Sequence, residues 1–385
     1  MGDATLYTVL PTHASDAGIA LQSVGIMLGA NRAIRLLSNG PAGLFYDRWP
    51  RRRLFVPAMF LGALSTAIYA ATQGFWPLLI GRLLWGLAWS GIWVGGATVI
   101  LDVSTDRDRG RWTGLYQTWF FVGTALGSFS GGLLTDWIGY APALWIGAGV
   151  TAVGGLVALI MLPETRSPGS GRDYPPVVGG AQIRPPRLRA NRDLWTIASL
   201  YGVNRFVLSG LFGATLALLV QGRLAAFAIG IATLTGTLSA GRTVISMFAA
   251  PLAGTLSDRL SRWTVAAWAA FGAALSMALV AWESPVSILA GIALGALAGG
   301  GIWALATALI GDVVSVAQRG RAIGFVHSAG DLGSAVGPLA AYAVLPWVTL
   351  RGIYFCGAAL FLVQLGLIAH HARREKRVAA APSRL

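Results

Sequence analysis

Long apolar segments, separated by short polar gaps, fill almost the whole of this chain. An α-helix needs about 20 apolar residues to cross the hydrocarbon core of a bilayer. The chain is 55% hydrophobic and only 11% charged, which is too apolar for a soluble domain. We therefore predict an all-α polytopic membrane protein with about eleven full transmembrane helices. The segments are residues 19–46, 54–72, 75–102, 112–135, 142–162, 194–220, 225–256, 263–281, 285–312, 321–346 and 351–370.

The two halves of the chain repeat one another at a shift of 210 positions. The stretch GIWVGGATVILDV, which begins at Gly91, returns as GIWALATALIGDV, which begins at Gly301. A shift of six helices preserves orientation, so the halves are expected to be parallel six-helix bundles related by a pseudo-two-fold axis along the membrane normal. The same shift relates Asp102 to Asp312, Arg32 to Arg242 and Pro41 to Pro251.

A short basic turn stands at the same place in each half. GLFYDRWPRRR begins at Gly43 and GTLSDRLSRW begins at Gly254, each between two apolar segments. Both resemble the loop between the second and third helices of the major facilitator superfamily, G-x-L-x-D-R-x-G-R-[KR]. Pro50 and Ser261 stand where that family usually has its second Gly. The matching residues are Gly43, Asp47, Arg48, Arg51 and Arg52, and then Gly254, Leu256, Asp258, Arg259 and Arg262.

The resemblance covers essentially the whole chain and implies a secondary transporter that works by alternating access. In the family, the Asp and Arg of these turns, with an acidic residue at the inner end of the fourth helix, close the cytoplasmic side of the outward-facing state. Asp102 matches that acidic position and Asp312 is its copy. A solvated basic turn is the alternative, but it does not explain the repeated Asp. The predicted gate therefore contains Gly43, Asp47, Arg48, Arg51, Asp102, Gly254, Asp258, Arg259, Arg262 and Asp312.

The first helix is short in this sequence. The second half begins its first helix near Leu194, so the repeat would place the start of the first half upstream of Met1. Either translation begins upstream or the first helix is truncated. We favour the upstream start, because Asp3 to Pro11 resembles the outer end of the family's first helix.

Charge asymmetry predicts the orientation of the chain. Nearly all loop Arg residues lie on the side of the two Asp-Arg turns, whereas the opposite loops hold only Arg223 and Arg351. The positive-inside rule makes the Arg-rich side cytoplasmic. We expect a multi-pass protein of the cell membrane with a cytoplasmic C-terminus and central linker. The predicted units are an N-terminal bundle (1–162), a linker (163–193), a C-terminal bundle (194–370) and a basic tail (371–385).

Several other classes of protein are disfavoured. The net charge of +14 is spread over the gaps between apolar segments rather than on one face, so nucleic acid is not an expected partner. A single cysteine and four scattered histidines suggest no metal site, and we expect no cofactor. No G-x-x-x-x-G-K-[ST] loop occurs, which leaves ATP-driven transport unsupported, and the lack of any catalytic constellation disfavours an enzyme. The expected partners are lipid, a small-molecule substrate and a proton, and we expect a monomer.

Charged residues inside predicted spans are the candidates for a substrate and proton cavity. A charge in a membrane interior persists only when it is paired or faces water. Pairing among themselves is the alternative, but five Arg face one obvious carboxylate. Some of them should therefore line an aqueous cavity that suits an anionic group. The predicted cavity residues are Arg32, Arg35, Arg82, Asn204, Arg205, Arg242, His327 and Asp331.

Three of these positions carry further signals. Arg82 lies in GRLLWG, which resembles the fourth-helix R-x-x-x-G motif of proton-coupled members, and the second half has Ile292 there. Arg205 is near the middle of the seventh helix, a depth similar to that of a cavity Arg in organic-anion and organophosphate transporters of the family. Asp331 shares a helix face with His327, four residues earlier, and is either a proton carrier or a static partner of an Arg.

The fifth helix contains GTALGSFSGG, which begins at Gly123 and resembles the antiporter motif G-x-x-x-G-P-x-x-G-G. Ser128 replaces the motif's Pro, so a plain helix-packing face is an equal alternative.

Our main prediction is a proton-coupled efflux or antiport protein for small organic solutes. Uptake of organic anions such as carboxylates or phosphate esters is the close second, favoured by the buried Arg. A non-transporting membrane sensor on the same fold is the third.

Overall fold

A computed structural model describes residues 2–105, 108–165, 192–226, 229–314 and 318–379. Within these residues the chain is helical and contains no strand. Within a helix the backbone polar groups pair with one another except at its two ends, which suits a lipid environment. The helices are α1 (Gly2–Val9), α2 (Val24–Arg48), α3 (Arg51–Ala71), α4 (Phe75–Val103), α5 (Arg109–Ile138), α6 (Tyr140–Met161), α7 (Arg192–Arg223), α8 (Ile231–Arg259), α9 (Arg262–Ala281), α10 (Pro285–Val313), α11 (Arg319–Val344) and α12 (Leu350–Ala379).

The helix boundaries reproduce the sequence repeat. Helix α4 is Phe75–Val103 and α10 is Pro285–Val313, so both ends are related by the shift of 210. Helices α2 and α8 overlap under the same shift although their ends differ by one to three residues, and each contains a proline at the matching position, Pro41 and Pro251. The fold is thus the predicted all-α arrangement of two six-helix bundles. The boundaries of the linker stay a prediction, because residues 166–191 lie outside the described part of the chain, as do 380–385 of the predicted tail.

Fewer helices are strongly apolar than the sequence led us to expect. Of the eleven predicted spans, seven described helices are both long and apolar enough to cross a membrane. The other four long helices are α2, α5, α8 and α11. They are also the helices through which the bundles meet, since α2 packs on α11 and α5 packs on α8. Their lower apolarity follows from facing the other bundle and the space between the bundles rather than lipid.

The bundles touch at the ends of these helices that lie farthest from the Asp-Arg turns. A Cβ atom on Gly25 or Gly29 of α2 would collide with the backbone of α11, at Pro338 or Ala335. A Cβ on Gly132 of α5 would likewise collide with the carbonyl of Ala232 on α8. Such small residues let helix backbones approach closely in lipid. We call this region the glycine seal.

A carboxylate strengthens the glycine seal. Asp136 of α5 accepts hydrogen bonds from the backbone N–H and the hydroxyl of Thr233, both at 2.6 Å. Thr233 lies in the first turn of α8, whose N–H groups have no partner within the helix. A side chain of one bundle therefore caps a helix of the other.

Toward the Asp-Arg turns the same helices separate. Glycines in these halves would carry a Cβ with no other atom within 4 Å. The space between the bundles is therefore open on the side of the turns and closed on the opposite side. The glycines concerned are Gly40 and Gly43 of α2, Gly114 of α5, Gly254 of α8, and Gly324 of α11.

Candidate functional site

Two oppositely charged side chains meet across the centre of the space between the bundles. Arg35 of α2 and Asp331 of α11 approach to 3.4 Å, Nη2 to Oδ1, and both side chains are mostly buried. Asp331 was predicted to be either a proton carrier or a static ion partner, and here it is paired. Arg35 also lies against the Trp89 ring, 5.9 Å from its centroid, and its Nε has no hydrogen-bond partner. One donor of this guanidinium is thus unused.

Three more predicted Arg side chains border this space without a carboxylate at ion-pair distance in the described part of the chain. Arg32 Nε donates to the Tyr7 hydroxyl at 3.3 Å. Arg205 Nη1 donates to the Ser209 hydroxyl at 3.0 Å, and Arg242 Nη1 donates to the carbonyl of Leu208 at 3.1 Å. Because their partners are neutral, the predicted excess of positive charge in the cavity is present.

Arg205 begins an irregular part of α7. Residues Arg205–Leu211 form a π-helical turn, a feature that often marks functional positions in helices. The Leu208 carbonyl that receives Arg242 belongs to this turn. Asn204, just before it, is buried, and its Oδ1 has no hydrogen-bond partner. Asn204 lies beside Gly299 of α10 rather than in the open cavity where the sequence analysis placed it.

Arg82 does not line the open cavity, contrary to the prediction. Its side chain is fully buried within the N-terminal bundle, where Nη1 lies 2.5 Å from Oδ1 of Asp3 and Nε donates to the carbonyl of Met27 at 2.7 Å. Asp3 is not among the predicted site residues, because the apolar segments suggested only one carboxylate inside the spans. The signal was present, since Asp3 lies in an apolar stretch four residues before Tyr7.

Tyr7 connects the Asp3–Arg82 pair to the cavity. Its ring lies between two guanidinium groups, 5.1 Å from that of Arg82 and 5.6 Å from that of Arg32. Asn31 completes the link, because it approaches the Tyr7 hydroxyl and its Nδ2 donates to Asp3 at 3.4 Å. A change in the charge of Asp3 can therefore reach Arg32 through contacts alone.

His327 has a more peripheral position. It is exposed at the open side, with its ring 5.3 Å from that of Tyr201. It shares the helix face of Asp331 as predicted, but no hydrogen bond joins the two among the described residues.

An aromatic wall that the sequence analysis did not identify borders Arg35. Trp85, Trp89 and Trp93 follow one another at a spacing of four on α4, with centroids 6.5 and 5.8 Å apart. Phe120 of α5 contacts both Trp89 and Trp93, at 5.5 and 5.3 Å. Trp89, Trp93 and Phe120 are only half-buried. The i, i+4 spacing of the tryptophans was the missed signal.

The predicted gate residues form two equivalent clusters near the Asp-Arg turns. Arg51 Nε donates to Asp102 at 2.9 Å, which joins two members of the predicted cluster, whereas Asp47 forms no ion pair among the described residues. Arg262 pairs with Asp312 and lies 3.9 Å from Asp258. Both clusters join neighbouring helices of one bundle, so neither closes the space between the bundles in this state. In the part of the chain described here, no ion pair involves Gly43, Asp47, Arg48, Gly254 or Arg259.

Known proteins with similar sequences include drug resistance proteins and a probable transporter. The family model of the Major Facilitator Superfamily matches residues 1–234 and 206–384. A multidrug resistance protein MdtG from Citrobacter koseri is 26% identical over 97% of this chain and 91% of its own. A tetracycline resistance protein, class G, from Vibrio anguillarum is 27% identical over 96% and 93%. A probable 4-methylmuconolactone transporter from Cupriavidus pinatubonensis is 29% identical, but over only 36% of this chain and 33% of its own.

Solved structures share the fold at low sequence identity. A bacterial homologue of the human lysosomal transporter Spinster, in an inward-facing and occupied conformation, has a TM-score of 0.74 at 14% identity and covers 97% of this chain and 93% of that one. The human organic anion transporter MFSD10 has a TM-score of 0.66 at 20% identity, with 95% of each chain covered. With the family model spanning nearly every residue and a two-bundle fold around a polar cavity, the chain belongs to the Major Facilitator Superfamily of membrane transporters.

Proposed function

We propose that this chain is a proton-coupled antiporter that exports small organic solutes. The observation that carries the proposal is the buried Asp3–Arg82 pair and its connection through Tyr7 to the cavity. The family supplies transport by alternating access, and the sequence has no phosphate-binding loop that would favour ATP as the energy source. A carboxylate that can gain and lose a proton inside the bundle suits coupling to a proton gradient.

The electrostatics of the pair explain how protonation of Asp3 would be coupled to a change of conformation. Arg82 is fully buried, so its positive charge depends on the Asp3 carboxylate. A proton on Asp3 would leave that charge uncompensated, which is costly in a poorly solvated interior. Protonation therefore favours a rearrangement of α1 and α4, and Tyr7 transmits it to Arg32 at the cavity. Loss of the proton restores the arrangement described here.

Orientation and gating complete the proposal. The positive-inside rule places the Asp-Arg turns in the cytoplasm, so the opening between the bundles faces inward. The central linker and the C-terminus then lie in the cytoplasm of a monomer composed of the two predicted bundles. The Arg51–Asp102 and Arg262–Asp312 clusters belong to the gate that would close this side in the outward-facing state.

Export is favoured by the multidrug and tetracycline resistance proteins, which match along nearly the full length.

Uptake of organic anions is the second candidate. It is favoured by four cavity-bordering Arg opposite the single carboxylate of Asp331 in the described region. Right-side-out vesicles distinguish the two candidates: net accumulation of a labelled anion driven by an external acid pulse supports uptake, whereas loss of preloaded solute supports export.

The proton-coupling test uses everted vesicles that are acid inside, with tetracycline as the first probe. We expect tetracycline to dissipate the pH gradient in wild-type vesicles. Asp3→Asn should abolish this response, because the titratable carboxylate is gone. Asp16→Asn is the matched control, since Asp16 is an exposed carboxylate beyond α1 and should leave the response unchanged. Equal responses of Asp3→Asn and wild type would refute coupling through Asp3.

A further inference from the structure

We propose that Arg35 and the aromatic wall of Trp89, Trp93 and Phe120 form a subsite for an aromatic carboxylate. This inference rests on the proposed function and names the class of solute that the cavity takes. Its anionic group would bind at Arg35, and its ring would stack on the wall. The two elements are adjacent, because the Arg35 guanidinium lies 5.9 Å from the centroid of Trp89.

The positive charge of the cavity favours binding of an anion. Arg32, Arg205 and Arg242 contact neutral oxygen atoms, so their charges are not neutralised by those partners. Arg35 engages Asp331 through Nη2, while its buried Nε lacks any acceptor. A buried donor without an acceptor is unfavourable. The Arg35 side chain keeps part of its surface exposed, so a ligand carboxylate in the cavity can accept a charge-assisted hydrogen bond from the guanidinium.

The aromatic wall favours a ligand that contains an aromatic ring. Trp89 and Trp93 are stacked at an interplanar angle of 17°, and Phe120 contacts both, so they form a continuous π surface from α4 to α5. All three remain half-buried, so part of the surface of each ring is accessible. Across the open space, Trp303 of α10 meets Phe121, 6.0 Å away, and brings a ring of the second bundle to the same region.

Helix packing does not account for the wall. The repeat places Gly295 and Gly299 opposite Trp85 and Trp89, and only Trp93 has an aromatic counterpart, Trp303. The second bundle therefore builds the equivalent helix with small residues at these positions. The fold does not require Trp85 and Trp89, and Trp89 is the one that contacts the unsatisfied Arg35.

The test measures equilibrium binding of radiolabelled 2-naphthoate to the purified protein in lipid nanodiscs. We expect saturable binding that exceeds that of the neutral 2-naphthalenemethanol and of cyclohexanecarboxylate, which lacks an aromatic ring. Arg35→Gln should weaken 2-naphthoate binding about tenfold or more, with Arg35→Lys retaining part of it. Trp89→Leu, which keeps apolar volume but removes the π face, should weaken 2-naphthoate about fivefold and leave cyclohexanecarboxylate unchanged.

Trp137→Leu is the matched control, because Trp137 is exposed at the end of α5 and should not affect binding. Melting temperatures of the variants show that each is folded. No binding by wild type, equal binding of the neutral analogue, or equal weakening of both carboxylates by Trp89→Leu would overturn the subsite. The proton antiport would still stand if tetracycline dissipates the pH gradient in an Asp3-dependent way, so the two proposals fail separately.

Discussion

Replacing Arg82 by glutamine is expected to abolish proton-coupled transport and to lower the stability of the protein. The side chain is fully buried, pairs with Asp3 and donates to the Met27 carbonyl. Removing one partner of a buried ion pair costs about 3–5 kcal/mol, because the other charge is left without compensation. Here the remaining charge is the Asp3 carboxylate, which would bind a proton or draw in water. The melting temperature in detergent and the proton response in everted vesicles measure the two effects.

A double substitution separates the structural role of Arg82 from its role in coupling. Asp3→Asn/Arg82→Gln removes both charges, so much of the stability lost in Arg82→Gln should return. Coupled transport should not return, because neither the proposed proton carrier nor its partner is present. A double-mutant cycle of the melting data then gives the interaction energy of the pair. Recovery of coupling in the double variant would contradict the role assigned to Asp3.

Arg321→Gln is the control for loss of an Arg. Arg321 is exposed on α11 near the open side, so its replacement should change neither the melting temperature nor the proton response. If Arg82→Gln behaved like this control, the buried pair would be dispensable for both stability and coupling.

The sequence predicted the architecture better than it predicted the contacts. Helix count, repeat and fold class follow from apolar length and from motifs that recur at a fixed shift, and both are local properties of the chain. The helices with the weakest apolar character, such as α2 and α8, were placed correctly but counted as ordinary spans. Their polar faces contact the other bundle, and a local sequence pattern cannot predict that contact.

The features that the sequence did not predict depend on contacts between segments that are far apart in the chain. Arg82 was recognised as important, but its partner Asp3 lies on another helix, and only the fold brings them together. Arg51, Asp47 and Asp102 were expected to form one charge cluster, yet among the described residues Arg51 pairs with Asp102 on α4 and not with Asp47. The aromatic wall combines a regular spacing on α4 with Phe120 of α5. In each case the residue can be recognised in the sequence, but its partner is determined by how the helices pack.

Placing leucine at Gly29 and Gly132 together is expected to open the glycine seal and arrest the transport cycle. A Cβ at Gly29 would meet the Ala335 carbonyl, and one at Gly132 would meet the Ala232 carbonyl. Backbone atoms cannot rotate away, so the helices must separate. Overpacking costs about 1–3 kcal/mol at each site, and together about 2–6 kcal/mol. A shift of about 5.5 kcal/mol converts a 1:99 population into 99:1, so the double variant should favour the state open at the seal.

Thiol labelling reports the opening. Ser128 is buried at the seal, beside Gly236 of α8, and Cys356 is exposed, so Ser128→Cys in a Cys356→Ser background provides a single reporter. A membrane-impermeant maleimide should label this cysteine about tenfold faster or more in the double leucine variant, because each 1.4 kcal/mol changes the open population tenfold. Transport of tetracycline should fall to background, since the variant cannot return to the state described here.

Gly149→Leu is the matched control. Gly149 lies on α6, away from the bundle interface, and a Cβ there would have no neighbour within 4 Å. Labelling and transport should therefore equal those of the parent protein, and the melting temperatures should show that all variants are folded. Unchanged labelling in the double leucine variant would mean that the glycine seal does not control access from this side. Faster labelling with normal transport would mean that closure of the seal is not a required step of the cycle.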